Sequence, residues 1–251
     1  MAGKLKMSNT KILSIDWDYF FDCGEGDRVI LFPDGGEFKE SLGNIIWAGY
    51  YRSLEVDDYK SINDVTVDKK AFDYIMKWAK NTDLSNTITA SSISHLSIVH
   101  MVKEFNIKDI DIINIDYHHD TFKHIENDIN CGNWLSHFIK DNNARARWVK
   151  REDSGLESIG EKIEVTTDIS IIENFIPDYI FLAKSNMWSP PHLDADFNKL
   201  YRTFFNNSSK LFSYTDLREM NNRYTKVKEI ADAENDAFKK LDLQKMGGNK
   251  K

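Results

Sequence analysis

Along this chain, short apolar runs alternate with longer segments in which apolar residues recur at helical spacing. Residues 11–15, 87–90, 111–115, 144–149, 162–166 and 179–183 read as strands. Residues 37–54 carry Leu42, Ile45, Ile46 and Tyr50 on one helical face, and residues 69–79 carry Phe72, Ile75, Met76 and Trp78. Further helices are expected over 96–105, 133–139 and 194–205. Residues 22–36, rich in Gly and Asp, read as loop, as do residues 184–191. Strands alternating with helices predict an α/β fold, three layers αβα around a mainly parallel sheet.

The end of the chain differs. Residues 215–244 are highly charged with loose helical spacing, and 246–251 read as a disordered tail. The expected organisation is an α/β body over 1–214 and a charged helix and tail over 215–251, in the same domain or appended.

Composition narrows the partners. A net charge of -7 over 251 residues argues against a broad nucleic-acid footprint. The local basic run of Arg145, Arg147, Lys150 and Arg151 reads as a solvated strand face. Cys23 and Cys131 fit neither a disulfide framework nor a zinc ribbon. The polar first ten residues and the lack of long apolar runs point to a cytoplasmic protein with no membrane partner. A small-molecule substrate is the expected partner; homo-oligomer formation stays open.

Chemistry concentrates where apolar strands end. In open α/β sheets, ligands sit outside the carboxyl ends of the strands. After residues 111–115 come Asp116, His118 and Asp120, which share one side of an extended chain. Two carboxylates and an imidazole there make a metal half-site of mixed hardness. After residues 11–15 come Asp16 and Asp18, again on one side. That pair alone also fits a capped turn, but the aromatics at 17, 19, 20 and 21 argue for burial. Unpaired buried carboxylates are costly, and cations would resolve the cost. A third strand is followed by Ser91, Ser92, Ile93, Ser94 and then His95, at the start of a helix.

These segments resemble the arginase, agmatinase and deacetylase superfamily. Asp116-Tyr117-His118-His119-Asp120 is similar to the Asp-x-His-x-Asp signature of arginases and agmatinases. Ser14-Ile15-Asp16-Trp17-Asp18 is similar to their Ser-Phe-Asp-x-Asp strand end, and Ser94-His95-Leu96-Ser97 stands where their Gly-Gly-Asp-His-Ser segment would. Gly132-Asn133-Trp134 resembles the Gly-Asn stretch after the signature. The chain departs from the family in three ways. The Asp-x-Asp motif lies at the N-terminus, Ser92-Ile93-Ser94 replaces Gly-Gly-Asp, and no equivalent of the carboxylate that reads the arginase guanidinium is visible. The nearest resemblance is to arginase-like proteins of bacteria and phages, which imply no particular substrate.

The resemblance implies two metals. One would take His95, Asp116, Asp120 and Asp16; the other would take His118, Asp116, Asp16 and Asp18, with Asp116 and Asp16 bridging. Such an oxygen-rich set suits two Mn²⁺, with Zn²⁺ as the alternative in a deacetylase-like mononuclear site. A hydroxide between the metals would attack a guanidine, amidine or amide carbon, a carbon–nitrogen bond other than a peptide bond. His119 or His137 would carry the proton to the leaving amine. Asn133 and Trp134, with Ser185, Asn186 and Trp188 after the last apolar strand, would shape the substrate pocket.

Two rival readings stand beside it. One is a catalytically inactive small-molecule binding protein of the same fold. The other is a phosphohydrolase of the haloacid-dehalogenase type with Asp16 as nucleophile, which gives His95, His118 and Asp120 no role.

Overall fold

The strands form where the apolar runs place them, and they assemble into one sheet. A computed structural model describes residues 9–33, 36–52, 61–122, 128–157, 163–215 and 222–247. In chain order the sheet strands are β1 (Thr10–Asp16), β2 (Ile88–Ser92), β3 (Ile110–Ile115), β4 (Arg145–Val149), β5 (Glu164–Thr166), β6 (Tyr179–Ala183) and β7 (Lys210–Ser213). All pairings are parallel, in the order β5-β4-β3-β1-β6-β2-β7.

The helices are α1 (Glu25–Leu31), α2 (Glu40–Arg52), α3 (Lys69–Asn81), α4 (Ile98–Glu104), α5 (Trp134–Asp141), α6 (Asp194–Asn207) and α7 (Arg223–Gly247). Asp68 caps α3 by accepting from the backbone N–H groups of Lys70 and Ala71 at 3.0 and 3.2 Å. Alternation along the central strands sorts the helices into two layers. Leu13, Ile15, Ile113 and Ile115 enter a core with α2, α3, α6 and α7, whereas Ile12, Ile110 and Ile112 pack against α4 and α5. The protein is therefore a three-layer αβα fold.

Register sets the site. Ile15 pairs with Ile115, Asp16 with Ala183, and Ser92 with Ala183, so β1, β3, β6 and β2 end at one level. From β1 the chain goes to β2 on one side of β1, then crosses to β3 on the other. That reversal opens a crevice at the carboxyl ends of the strands.

Three sequence expectations need correction. Residues 22–36 hold α1 rather than loop throughout. Acidic Glu25 and Asp27 in the first turn favour it, but its buried residues are Arg28 and Leu31 while Val29 and Ile30 face outward, so no apolar stripe announces it. β7 was not expected; its Leu211 and Phe212 are only half-buried at the sheet edge. At the C-terminus, α7 runs through Gly247, so Met246 belongs to a helix rather than a disordered tail. Residues 216–221 of the expected helix and 248–251 of the expected tail lie outside the described residues.

The basic run is neutralised locally. Arg145 pairs with Glu164 at 2.8 Å, Arg147 with Asp111 at 2.6 Å, and Arg151 with Asp153 at 2.7 Å, while Lys150 donates to the carbonyls of Ser154 and Leu156. Cys23 and Cys131 form no disulfide. Among the described residues no helix is long and apolar enough to cross a membrane.

Candidate metal centre

Asp16 ends β1 and caps the 3-10 turn Trp17–Phe20, which places Asp18 one step on. Burial of Trp17, Phe20 and Phe21 pins that turn against the core. Across the register, Asp116 continues β3, its N–H donating to the Val149 carbonyl at 3.2 Å. The chain then turns. His118 N–H donates to Asp116 Oδ1 at 2.8 Å, and Asp120 adopts a left-handed φ of 52°, which brings its carboxylate back to the strand end. Asp tolerates that region better than most residues. His95 lies in a 3-10 turn after β2, where Ser94 Oγ accepts from the Leu96 N–H.

The expected residues converge. His95 Nδ1 lies 3.1 Å from Asp16 Oδ2, 3.3 Å from Asp116 Oδ2 and 3.2 Å from Asp120 Oδ2. His118 Nδ1 lies 3.1 Å from Asp18 Oδ2 and 3.9 Å from Asp116 Oδ1. Two donor groups result, Asp16–His95–Asp116 and Asp18–Asp116–His118, each with its ligand atoms within 4.8 Å of one another. Asp116 belongs to both, one oxygen toward each. Asp16 belongs only to the first, so its expected second bridge is not part of this geometry.

Electrostatics without a cation is unfavourable. Burial, then the charges of Asp18 and Asp116, pushes the Asp16 carboxyl up to about 7. Burial and Asp116 also push Asp120 well above the carboxylate range. Burial acts on Asp116 too, but the neighbouring His95, then His118, outweigh it and hold that carboxyl at about 2. Burial works against a charged His95, yet Asp120, Asp116 and Asp16 raise its pKa well above the usual histidine value. His118 is raised against burial by Asp18.

His95 Nδ1 and both carboxylate oxygens of Asp18 are buried without a hydrogen-bond partner. Charged neighbours face them, His118 at 3.1 Å and Arg28 at 3.8 Å from Asp18 Oδ2, but burying such groups without hydrogen bonds is costly. Adjacent ligands on a cation with bonds of about 2.1 Å stand roughly 3.0–3.4 Å apart. The spacing around His95 Nδ1 has that size, so the residues fit a metal.

Neighbouring residues orient the side chains of the cluster. Ser14 Oγ contacts His95 Nε2 at 2.7 Å. Asn114 Nδ2 donates to Asp116 Oδ2 at 3.2 Å, and Trp134 Nε1–H to Asp120 Oδ2 at 2.7 Å. Ser185 Oγ–H donates to Asp16 Oδ2 at 2.6 Å. Arg28 donates to the Asp18 carbonyl at 2.6 Å and stands 3.6 Å from the Tyr117 ring centre. Ser14 and Asn114 carried a sequence signal: each is polar within an apolar strand, two residues before the first Asp and on its face.

Above the cluster opens a cavity of about 670 Å³, walled by Glu37, Phe122, Cys131, Ser185 and Trp188 with Asp16, Asp18, His95, His118 and Asp120 at its base. Ser185 and Trp188 thus stand where the pocket was expected. Trp134 touches the Asp/His cluster instead. Asn186 lines a smaller neighbouring cavity. The Asn133 side chain braces its own loop, accepting from Asn130 N–H and donating to the Asp128 carbonyl.

Neither expected proton carrier lines the cavity wall. His137 faces a separate cavity beside Val99, Ile107 and Asp141. His119 Nδ1 accepts from the Thr121 N–H at 3.0 Å, its ring packs on Phe122 and Trp148, and burial lowers its pKa to about 4. Glu37, unsuspected from the sequence, does reach the cavity; its Oε2 accepts from Ser94 Oγ at 2.7 Å. Glu37 is an exposed residue, and partial desolvation of its carboxyl raises its pKa.

Fold and site together define a parallel α/β protein with a buried Asp/His cluster able to hold metal. No family model, curated protein or solved structure gives a significant match to the chain.

Proposed function

We propose that the chain is a binuclear metallohydrolase that cleaves the carbon–nitrogen bond of a guanidine, amidine or amide. The observation that carries this reading is the pair of donor groups sharing Asp116, with His95 Nδ1 and the Asp18 carboxylate left without hydrogen-bond partners. His95, Asp16, Asp116 and Asp120 would hold one cation; Asp18, Asp116 and His118 would hold the other. Four carboxylates balance two divalent charges, and an oxygen-rich set with two imidazoles favours Mn²⁺. Two such cations supply Lewis acidity that activates water and polarises the scissile carbon. The resemblance of the ligand motifs to arginases and agmatinases supports this reaction class.

The chain's own residues do the rest. Ser14, Asn114, Trp134 and Ser185 hold the ligand atoms in place before any substrate arrives. Phe122 and Trp188 flank the substrate and restrict water. Glu37 stands in the wall, outside both donor groups. Its raised pKa keeps a proton available nearer neutral pH, for transfer to the departing amine. Phosphoryl transfer through Asp16 is less well supported, because it gives no role to His95, 3.1 Å from Asp16, or to Asp120, 3.2 Å from His95.

The test is elemental analysis of Mn²⁺-reconstituted protein, followed by a screen of guanidines, amidines and amides for amine or urea release. Two equivalents of metal with turnover on one class supports the reading. Metal without turnover, and a ligand recovered unchanged, would favour the binding protein.

A further inference from the structure

The loop after β6 carries Ser185, whose hydroxyl holds Asp16, and Trp188, which walls the cavity. Ser185 has φ 48°, a left-handed conformation that a serine keeps only when its surroundings enforce it. Carbonyls of this loop are held from far along the chain. Arg223, in the first turn of α7, is 2% exposed. Its Nη1 donates to the Asn186 carbonyl at 2.7 Å and its Nη2 to the Ser189 carbonyl. The other edge of the guanidinium grips Asp194, Nε to Oδ2 at 3.0 Å and Nη2 to Oδ1 at 2.9 Å.

Asp194 also faces Lys184 Nζ at 2.8 Å, so one carboxylate anchors both the root of the loop and α7. Trp47 Nε1–H supplies a second donor to the Asn186 carbonyl at 2.9 Å. A planar guanidinium can grip a carboxylate and two carbonyls at once; an ammonium cannot.

We propose that Arg223 is a positioning residue of the metal centre: from α7 it fixes the backbone of residues 184–190 so that Ser185 keeps its hydroxyl on Asp16. This rests on the metal reading of the Asp/His cluster. Its consequence is selective. Asp16 belongs to the His95 group and not to the His118 group, so loss of Arg223 weakens the first site and spares the second.

The experiment is Mn²⁺ titration by calorimetry on full-length wild type, Arg223→Lys, Ser185→Ala and the double variant, with thermal melts of each metal-free protein. Arg223→Lys keeps the charge beside Asp194 and loses the fork. It is expected to lower affinity at one site by ~10-fold or more, the usual size for a residue supporting a ligand. Ser185→Ala lowers the same site, and the double variant falls no further than the worse single, since both act through one contact. If Arg223→Lys does not fold, Arg223→Gln takes its place, because Lys184 still compensates Asp194. Unchanged affinities, equal weakening of both sites, or additive losses in the double variant would each overturn the assignment. A wild type that takes up no metal removes the metal reading itself and this inference with it.

Discussion

Ser14 and His95, 81 residues apart in sequence, meet with Ser14 Oγ 2.7 Å from His95 Nε2. The contact bears on what His95 can do, because Ser14 Oγ is able to accept from Nε2–H. An imidazole that donates through Nε2–H presents a bare Nδ1 lone pair, and Nδ1 is the atom surrounded by Asp16, Asp116 and Asp120.

Ser14→Ala removes that constraint while leaving the strand intact. Affinity for the metal at the His95 group is expected to fall ~10–100-fold, with a melting temperature close to wild type in the absence of metal. Competition titration against a chelator reads this directly. An unaltered affinity would mean that the ring is oriented by its packing on Trp134 and Phe181 alone.

The carboxylates should sort by membership of the two groups. Asp116→Ala breaks both and is expected to lose nearly all bound Mn²⁺. Asp18→Ala should cost about one equivalent, from the His118 group, and Asp16→Ala about one, from the His95 group. Elemental analysis after gel filtration measures all three. A wild type holding one tight Zn²⁺, with Asp18→Ala harmless, would indicate a mononuclear site instead.

Stabilisation by metal should grow with pH. In metal-free protein, the raised pKa values of Asp16, His95 and His118 mean that the fold binds more protons than the unfolded chain. Their stabilisation is complete below the unfolded values, about 3.9 for Asp and 6.5 for His. It is lost as pH rises through the folded values, that of Asp16 near 7. Metal must displace those protons, so apparent affinity should rise by about tenfold per pH unit for each proton released. The Mn²⁺-induced rise in melting temperature is therefore expected to be larger at pH 8 than at pH 6. An equal rise at both would dissociate metal binding from these ligands.

The sheet and the ligands were legible because both obey short-range rules. Apolar runs marked β1, β3 and β6, and alternation with period two put Asp116 with His118 and Asp120, and Asp16 with Asp18. What was hidden depends on distant partners. Helix α1 turns a buried Arg28 inward instead of an apolar stripe. Glu37 reaches the cavity through Ser94, and Arg223 reaches the 184–190 loop from α7; no local pattern marks either. His137 misled because a histidine on an amphipathic helix near the motif says nothing about which way its face points, and here it faces Ile107 and Asp141.

That misplacement changes which proton carrier to test. His137→Ala is expected to leave metal content and turnover within about twofold of wild type, since the ring lies in a separate cavity. His119→Ala should act mainly on stability: its Nδ1 accepts from the Thr121 N–H, and loss of a buried partner costs about 1–3 kcal/mol. Glu37→Gln is nearly isosteric and keeps an acceptor for Ser94, so the cavity and both donor groups should survive. It removes the titrating carboxyl. Turnover is expected to drop ~10²-fold or more at constant metal content, the size of a lost general acid–base. The pH–rate profile separates this from a binding effect: wild type should lose rate as Glu37 deprotonates, above the ordinary glutamate range because its pKa is raised, and Glu37→Gln should lack that limb. A Glu37→Gln enzyme with wild-type turnover and the same profile would return the proton transfer to His119 or to solvent.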